Sequence, residues 1–256
     1  MSLHRTVMAA RYWLRDLRRR PLLLILLVIT PVFFITRAIA ATQPIPRAVG
    51  LPGGGTALST MRDIHGATMA AITVAFLGGI VGVFIMQAAK QADRRLVLAG
   101  FHGVETVASR LLVLVGATAL VTAVSLLVTA KDFTPQSWLG FSIATAAIAV
   151  TYAGLGALAG ALLGRVGATY LLLFLSMIDL GVVQNPMFGS GQPPGWAVVL
   201  PGYPGMRVVI AAAFAPHNTI PTVELVGALA WVVVVSTAVV VILGMALQRS
   251  RQPSPF

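Results

Sequence analysis

Apolar residues in this chain are gathered into six long stretches, separated by short polar or Gly/Pro-rich connections. A helix needs about 20 consecutive apolar residues to cross a hydrocarbon core of about 30 Å. The pattern therefore predicts an all-α membrane protein with six transmembrane helices. The predicted spans are residues 21–41, 66–89, 106–130, 138–163, 167–183 and 223–247.

The segment before the first span has a different pattern. On a helical projection of residues 1–20, Trp13, Leu14 and Leu17 fall on one side and most of the arginines fall on the other. A basic face opposite an apolar face is typical of a helix in the lipid headgroup layer. We expect an amphipathic interfacial helix over 1–20, followed by a six-span domain over 21–256. The alternative is a basic flank that only orients the first span.

The segment between the fifth and sixth spans, residues 185–221, is apolar in its second half but interrupted by Pro and Gly. It is too apolar for a free loop and too short for a span. Irregular backbone at membrane depth survives only where it packs against protein. We therefore expect short re-entrant helices before the last span.

Composition and charge support a membrane location. The chain is 57% hydrophobic and 10% charged, whereas a soluble domain is about 45–50% apolar and about 25% charged. Thirteen of the 18 Lys and Arg residues fall on one side of the predicted spans, which places both termini in the cytoplasm. The net charge of +11 lies beside apolar stretches, so we expect lipid contacts and no nucleic-acid partner. The chain is predicted to be a multi-pass protein of the cytoplasmic (inner) membrane.

Several kinds of chemistry are excluded by the residues present. The chain has no cysteine, and its four histidines show no helical i, i+4 pairing, so we expect no metal site. It has no Gly-x4-Gly-Lys-Ser/Thr motif to cradle ATP phosphates. The nearest stretch, Gly53–Gly55, lacks the lysine and is interpreted as a flexible connection. The acidic residues are isolated from one another, so we expect no catalytic residues and no cofactor bound by this chain.

Small residues recur at four-residue spacing on two of the predicted spans. Such stripes let helix backbones approach closely. We expect them to pack helices within the chain, with a subunit interface as the alternative. The stripes are Gly78 and Gly82 on the second span, and Gly156, Gly160 and Gly164 on the fourth.

Asp179 is the acidic residue predicted deep within a span, about 18 Å from the cytoplasmic end of the fifth helix. A charge at that depth is usually paired or functional. It is interpreted as a buried ion pair, a protonated and hydrogen-bonded group, a residue lining a substrate path, or a proton relay. The charged partner we expect is Arg207, provided that 185–221 folds back between the last two spans.

The cytoplasmic connection over residues 90–105 is too structured for a plain turn. Charged residues open it, a short apolar run follows, and a second charged helical start comes after Gly100. This pattern predicts a short helix on the cytoplasmic surface that fits a groove of another protein, and a solvated loop is the alternative.

In order along the chain, these features resemble the permease subunit of ABC-type exporters, the class that exports drugs, polysaccharides and lipids. The resemblance rests on the N-terminal helix, on Asp93-Arg94-Arg95-x3-Ala99-Gly100-x4-Glu105-x4-Arg110-Leu-Leu, and on Trp196-x3-Leu200-Pro201-x-Tyr203. It implies an ATP-driven pathway formed by two permease chains, identical or homologous. It also implies a dimer of separate ATPase subunits that bind ATP and Mg. The implied coupling residues are Asp93, Arg94, Arg95, Gly100, His102 and Glu105.

Two other functions remain open from the residues alone. An ion-driven secondary transporter would use Asp179 as its proton-responsive group. A membrane-embedded assembly or sensor protein would carry no transport activity. Secondary transporters commonly show internal repeats and broken helices at matching depths. This chain shows neither pattern, which favours the exporter permease.

Overall fold

A computed structural model describes residues 21–98, 103–188, 191–216 and 220–249, together with Arg15. The predicted interfacial helix over 1–20 therefore lies outside the described residues, Arg15 excepted. The described part is mainly helical. Its elements, in chain order, are α1 (Pro21–Ala41), β1 (Pro46–Gly50), β2 (Thr56–Thr60), α2 (Met61–Leu98), α3 (Gly103–Thr129), α4 (Trp138–Ser176), a π-helical segment (Met177–Val183), a 3-10 helix (Gly195–Val199), α5 (Tyr203–Phe214) and α6 (Thr222–Arg249).

Four helical stretches of the described chain are long and apolar enough to cross a membrane. They are Met61–Ala88, Ala108–Thr129, Trp138–Val183 and Thr222–Met245. Helix α1 is 21 residues long and contains the apolar stretch Ile25–Ala41, and α5 is an apolar helix of twelve residues. The transmembrane character of the chain is supported on this basis. The count of six spans and the cytoplasmic position of both termini stay predictions.

The chain reverses direction inside α4, at Gly164. This residue has φ 74° and ψ −175°, outside the helical region, although helix continues on both sides of it. The side chains of Tyr152 and Asp179 form a hydrogen bond although they are 27 residues apart. A straight helix of that length would separate them by about 40 Å. The stretches 138–163 and 165–183 are therefore two arms of a hairpin, which we call the first arm and the second arm.

Helix α2 lies at the centre of the molecule. In its most apolar stretch 83% of the residues are buried inside the chain, against 17% in α6. The first arm packs on α2 through glycines, because a Cβ at Gly78 would lie 2.6 Å from the carbonyl oxygen of Ala149. A Cβ at Gly156 would collide with the carbonyl oxygen of Gly79. The two glycine stripes thus pack helices within the chain.

Gly164 does not belong to that packing stripe, which corrects its sequence assignment. A Cβ built on Gly164 would meet nothing within 4 Å, whereas one on Gly160 would lie 3.2 Å from the Cα of Val83. The backbone of Gly164 instead occupies a φ/ψ region that is essentially confined to glycine. Its role is to reverse the chain.

The connection between α1 and α2 contains a β-hairpin that the sequence analysis did not predict. Strands β1 and β2 pair antiparallel, with Pro46 opposite Thr60 and Gly50 opposite Thr56. The turn between the strands contains Gly53, Gly54 and Gly55, and all three have positive φ. Glycine adopts positive φ at little steric cost.

The region before α6 contains short helices, as the sequence predicts. The 3-10 helix spans five residues and α5 spans twelve. Helix α5 is buried continuously from Pro204 to Ala213, because it lies against α4 and α6 with further contacts to α2. Re-entry of these helices into the membrane stays a prediction.

Candidate functional site

Asp179 lies in the π-helical segment that ends the second arm, and only 1% of its surface is exposed. Its carbonyl oxygen accepts a hydrogen bond of 3.1 Å from the backbone N–H of Gln184, five residues later. Hydrogen bonds of this spacing define a π-helix, and single π-helical turns occur frequently at functional sites. The wider turn brings the side chain of Gln184 towards that of Asp179.

Three donors converge on the carboxylate of Asp179. The hydroxyl of Tyr152, on the first arm, donates to Oδ2 over 2.5 Å. The backbone N–H of Gly202, just before α5, donates to the same oxygen over 2.9 Å. The side-chain amide of Gln184 donates to Oδ1. Both oxygens are thus satisfied by neutral donors, which is what makes a buried carboxylate tolerable.

Gly202 is needed where the chain approaches the carboxylate. A Cβ at this position would lie 2.9 Å from Oδ2 of Asp179 and would also meet the side chain of Leu180. Glycine therefore lets the backbone N–H reach the carboxylate. The hydrogen bond from Gly202 to Asp179 connects the segment before α5 to the second arm.

The amide of Gln184 allows the site to hold Asp179 either as a carboxylate or as a carboxylic acid. Oε1 of Gln184 is buried with no hydrogen-bond partner among the described residues. The O and N assignment of such an amide follows from its surroundings, so Gln184 can donate to a carboxylate or accept from a carboxylic acid. The described residues contain no group of three or more acidic or histidine side chains that could hold a metal ion.

The expected ion pair between Asp179 and Arg207 is not formed, and this corrects the sequence interpretation. Nη1 of Arg207 donates to the carbonyl oxygen of Gly50, at the end of β1, over 3.2 Å. Its Nε is buried without a hydrogen bond in the described chain. The described helix α5 of segment 185–221 does pack against α4 and the π-helical segment, but Arg207 donates to the β-hairpin. Burial lowers the pKa of Arg207, while Tyr203 and Glu224 raise it electrostatically.

The β-hairpin joins the segment before α6 through further contacts. The backbone N–H of Gly50 donates to the carbonyl of Gly191 over 3.1 Å. Nε of Arg47 donates to the carbonyl of Pro186 over 3.2 Å. Together with Arg207, these bonds link β1 to both the π-helical end of the second arm and α5.

The predicted coupling residues fall at the other end of α2. Asp93, Arg94 and Arg95 lie on its helical continuation beyond the apolar stretch, and Glu105 lies in the first turn of α3. Gly100 and His102 lie outside the described residues. The predicted helical character of this segment is thus present up to Leu98, and its coupling role stays a prediction.

Sequence reasoning missed Tyr152, Gln184 and Gly202 as partners of Asp179. Tyr152 stands in an apolar helix where an aromatic residue is ordinary core. A signal was available, because Tyr152 and Asp179 lie at similar distances along the chain from Gly164. Once a reversal at Gly164 is assumed, the two side chains are expected at the same depth.

Comparison with known proteins assigns no family to this arrangement. No family model matches the chain, and neither the curated proteins nor the solved structures contain a match to it.

Proposed function

We propose that this chain is the membrane-spanning permease subunit of an ATP-driven ABC exporter. The observation that carries the proposal is the continuation of α2 beyond its apolar stretch. The apolar sequence gives way to a polar one at Lys90, but the helix continues to Leu98 and contains three charged residues in succession, Asp93, Arg94 and Arg95. A polar helical extension of this kind offers a docking surface outside the bilayer.

The contacts on the opposite side of the molecule support the same proposal. Arg207 links α5 to Gly50 of the β-hairpin. Asp179 links the second arm to the segment before α5. A subunit driven by a motor on one face must transmit movement to the other. Rigid helices such as α2, which reaches from Met61 to Leu98, provide a direct connection.

The proposal includes partners that this chain does not contain. A separate ATPase subunit, acting as a dimer, binds ATP and Mg and docks on segment 90–105. A second permease chain, identical or homologous, completes the pathway. This chain then supplies half of the pathway and contributes no catalytic group.

The test begins with a search of the neighbouring reading frames for a protein that has a P-loop and an ABC signature, followed by co-expression of this chain with that protein. We expect no ATP hydrolysis by the purified chain and vanadate-sensitive hydrolysis by the complex. Reversing the charges with Arg94→Glu and Arg95→Glu, or introducing bulk with Gly100→Val, should reduce co-purification and stimulated hydrolysis. The matched control is Arg62→Glu, because Arg62 is exposed near the opposite end of the same helix.

The proposal fails if the pure chain hydrolyses ATP at a vanadate-sensitive rate. It also fails if the coupling variants and the Arg62→Glu control co-purify with the ATPase equally well. Correct membrane insertion of each variant is checked by size-exclusion profile in detergent.

An ion-driven transporter is the second candidate, and the buried Asp179 site is the observation that favours it. The carboxylate is held by neutral donors inside a hairpin of apolar helices, and an ionisable residue in such a place is by default a functional hypothesis. Purified chain in proteoliposomes would then move protons or cargo under an imposed pH gradient without any ATPase. Asp179→Asn would abolish that movement, whereas an exporter permease would show none.

A further inference from the structure

Two cavities flank the first turn of α6. One, of about 520 Å³, lies between the start of α5 and α6 and is lined by Tyr203, Trp231 and Val234. The other, of about 580 Å³, is lined by residues 51–54 in the turn of the β-hairpin and by Ala215, Pro216, Ile220 and Pro221. Val223 and Glu224 line both cavities, so the two adjoin at these residues. We call the two cavities the first lobe and the second lobe, and together the groove.

The groove has the size and lining of a site for a small organic molecule. Ligand pockets usually measure about 300–1,000 Å³ and combine apolar walls with a few polar groups. Glu224 lines both lobes, and no other residue among the described lining residues carries a charge. Tyr203 and Trp231 add two aromatic rings to the first lobe. Apart from these two and Glu224, its lining residues are apolar or glycine.

Glu224 is free to meet a ligand. It forms no hydrogen bond or ion pair with any residue of the described chain, although it is only partly exposed. Arg207 acts on it electrostatically, but this guanidinium is buried, does not line either lobe and donates to the carbonyl of Gly50. The Glu224 carboxylate is therefore the charged group that the described part of the groove offers to a ligand.

We propose that this groove binds an amphipathic organic cation. Its apolar body lies against Trp231, Val234 and the Tyr203 ring, and its positive group lies at the carboxylate of Glu224. A cation near an aromatic face gains attraction from the ring quadrupole, and a partly desolvated carboxylate attracts a positive charge more strongly than one in water. An anion of the same shape meets the repulsion of Glu224 and gains neither interaction.

The test measures equilibrium binding of radiolabelled tetraphenylphosphonium to the full chain in neutral detergent, against protein-free micelles. Tetraphenylborate, an anion of nearly the same shape, is the matched ligand. We expect Glu224→Gln to weaken binding of the cation by about tenfold and to leave the anion unaffected or better bound. Asp132→Asn is the matched control, because Asp132 is an exposed carboxylate that lines neither lobe.

A second variant keeps the test decisive if Glu224→Gln does not fold. Ala230 lines the apolar lobe and is exposed, so Ala230→Trp should fill the lobe and abolish binding of the cation without changing charge. Equal affinity for the two ions, or unchanged cation binding in both Glu224→Gln and Ala230→Trp, overturns the proposal. Binding is measured without an ATPase subunit, so a negative result rejects this groove and leaves the proposed exporter function standing.

Discussion

Substitution of the packing glycines by alanine should separate α2 from the first arm. A Cβ at Gly156 would lie 2.8 Å from the carbonyl carbon of Gly79 and 2.9 Å from its Cα. A Cβ at Gly82 would lie 2.7 Å from the backbone nitrogen of Ala157. Carbon atoms in good contact are about 3.5–4.0 Å apart, so relief at Gly156 requires a shift of roughly 0.7 Å or more.

The atoms in the way belong to backbone, which cannot rotate aside as a side chain can. Overpacking of this kind typically costs about 1–3 kcal/mol. For a chain of this length that corresponds to about 2–4 °C in Tm per kcal/mol. We expect Gly156→Ala and Gly82→Ala each to lower the Tm by several degrees.

The matched control is Gly116→Ala in α3. A Cβ at Gly116 would meet nothing within 4 Å, so no packing penalty arises. Alanine is favoured over glycine inside a helix by up to about 1 kcal/mol, and the Tm should stay equal or rise. The measurement is the monodisperse fraction in size-exclusion chromatography after heating in detergent. Equal Tm values for Gly156→Ala, Gly82→Ala and Gly116→Ala would refute this account of helix packing.

Three further substitutions test the hairpin and its buried carboxylate. Gly164→Ala should lower the free energy of unfolding by about 1–3 kcal/mol through backbone strain alone. Gly167→Ala is the control and should not lower it, because its Cβ would meet Leu163 at an ordinary 3.5 Å. Thermal unfolding of both variants measures the difference. Asp179→Leu should destabilise the chain more than Asp179→Asn, because leucine leaves the donors of Tyr152 and Gln184 without an acceptor; equal stability of the two variants in heated detergent would contradict this. Asp179→Asn and Arg207→Gln should change the free energy of unfolding additively, within about 0.5 kcal/mol in a double-mutant cycle, because the two residues have different partners. A larger coupling energy would instead support an ion pair between them.

The sequence predicted the helices well because membrane spans carry a strong, local signal. The break between the fourth and fifth stretches was visible as Gly164-Arg165-Val-Gly167, and the structure places the reversal at the first of these residues. Apart from Gly164, the glycines of the two stripes lie at close contacts between α2 and the first arm, because four-residue spacing puts small residues on one helix face.

The polar contacts were predicted less well because they depend on tertiary position. Arg207 and Asp179 were paired as the obvious opposite charges, but the folded chain offers each a nearer neutral partner, Gly50 and Tyr152. Nothing in the local pattern marks a backbone carbonyl as the acceptor for an arginine 157 residues away. The β-hairpin was missed for a similar reason, because its strands are five residues long and show no clear alternation.

From the reversal at Gly164 we expect the two arms to enter the membrane as a single unit. An ionisable residue within an inserting helix is costly, and the second arm carries one at Asp179, near its end. The compensating hydroxyl belongs to Tyr152, on the arm that is synthesised first. Because no loop separates the arms, we expect the second arm to meet that hydroxyl as it enters the membrane. The donor is synthesised before its acceptor, and we expect this region to insert as a hairpin rather than helix by helix.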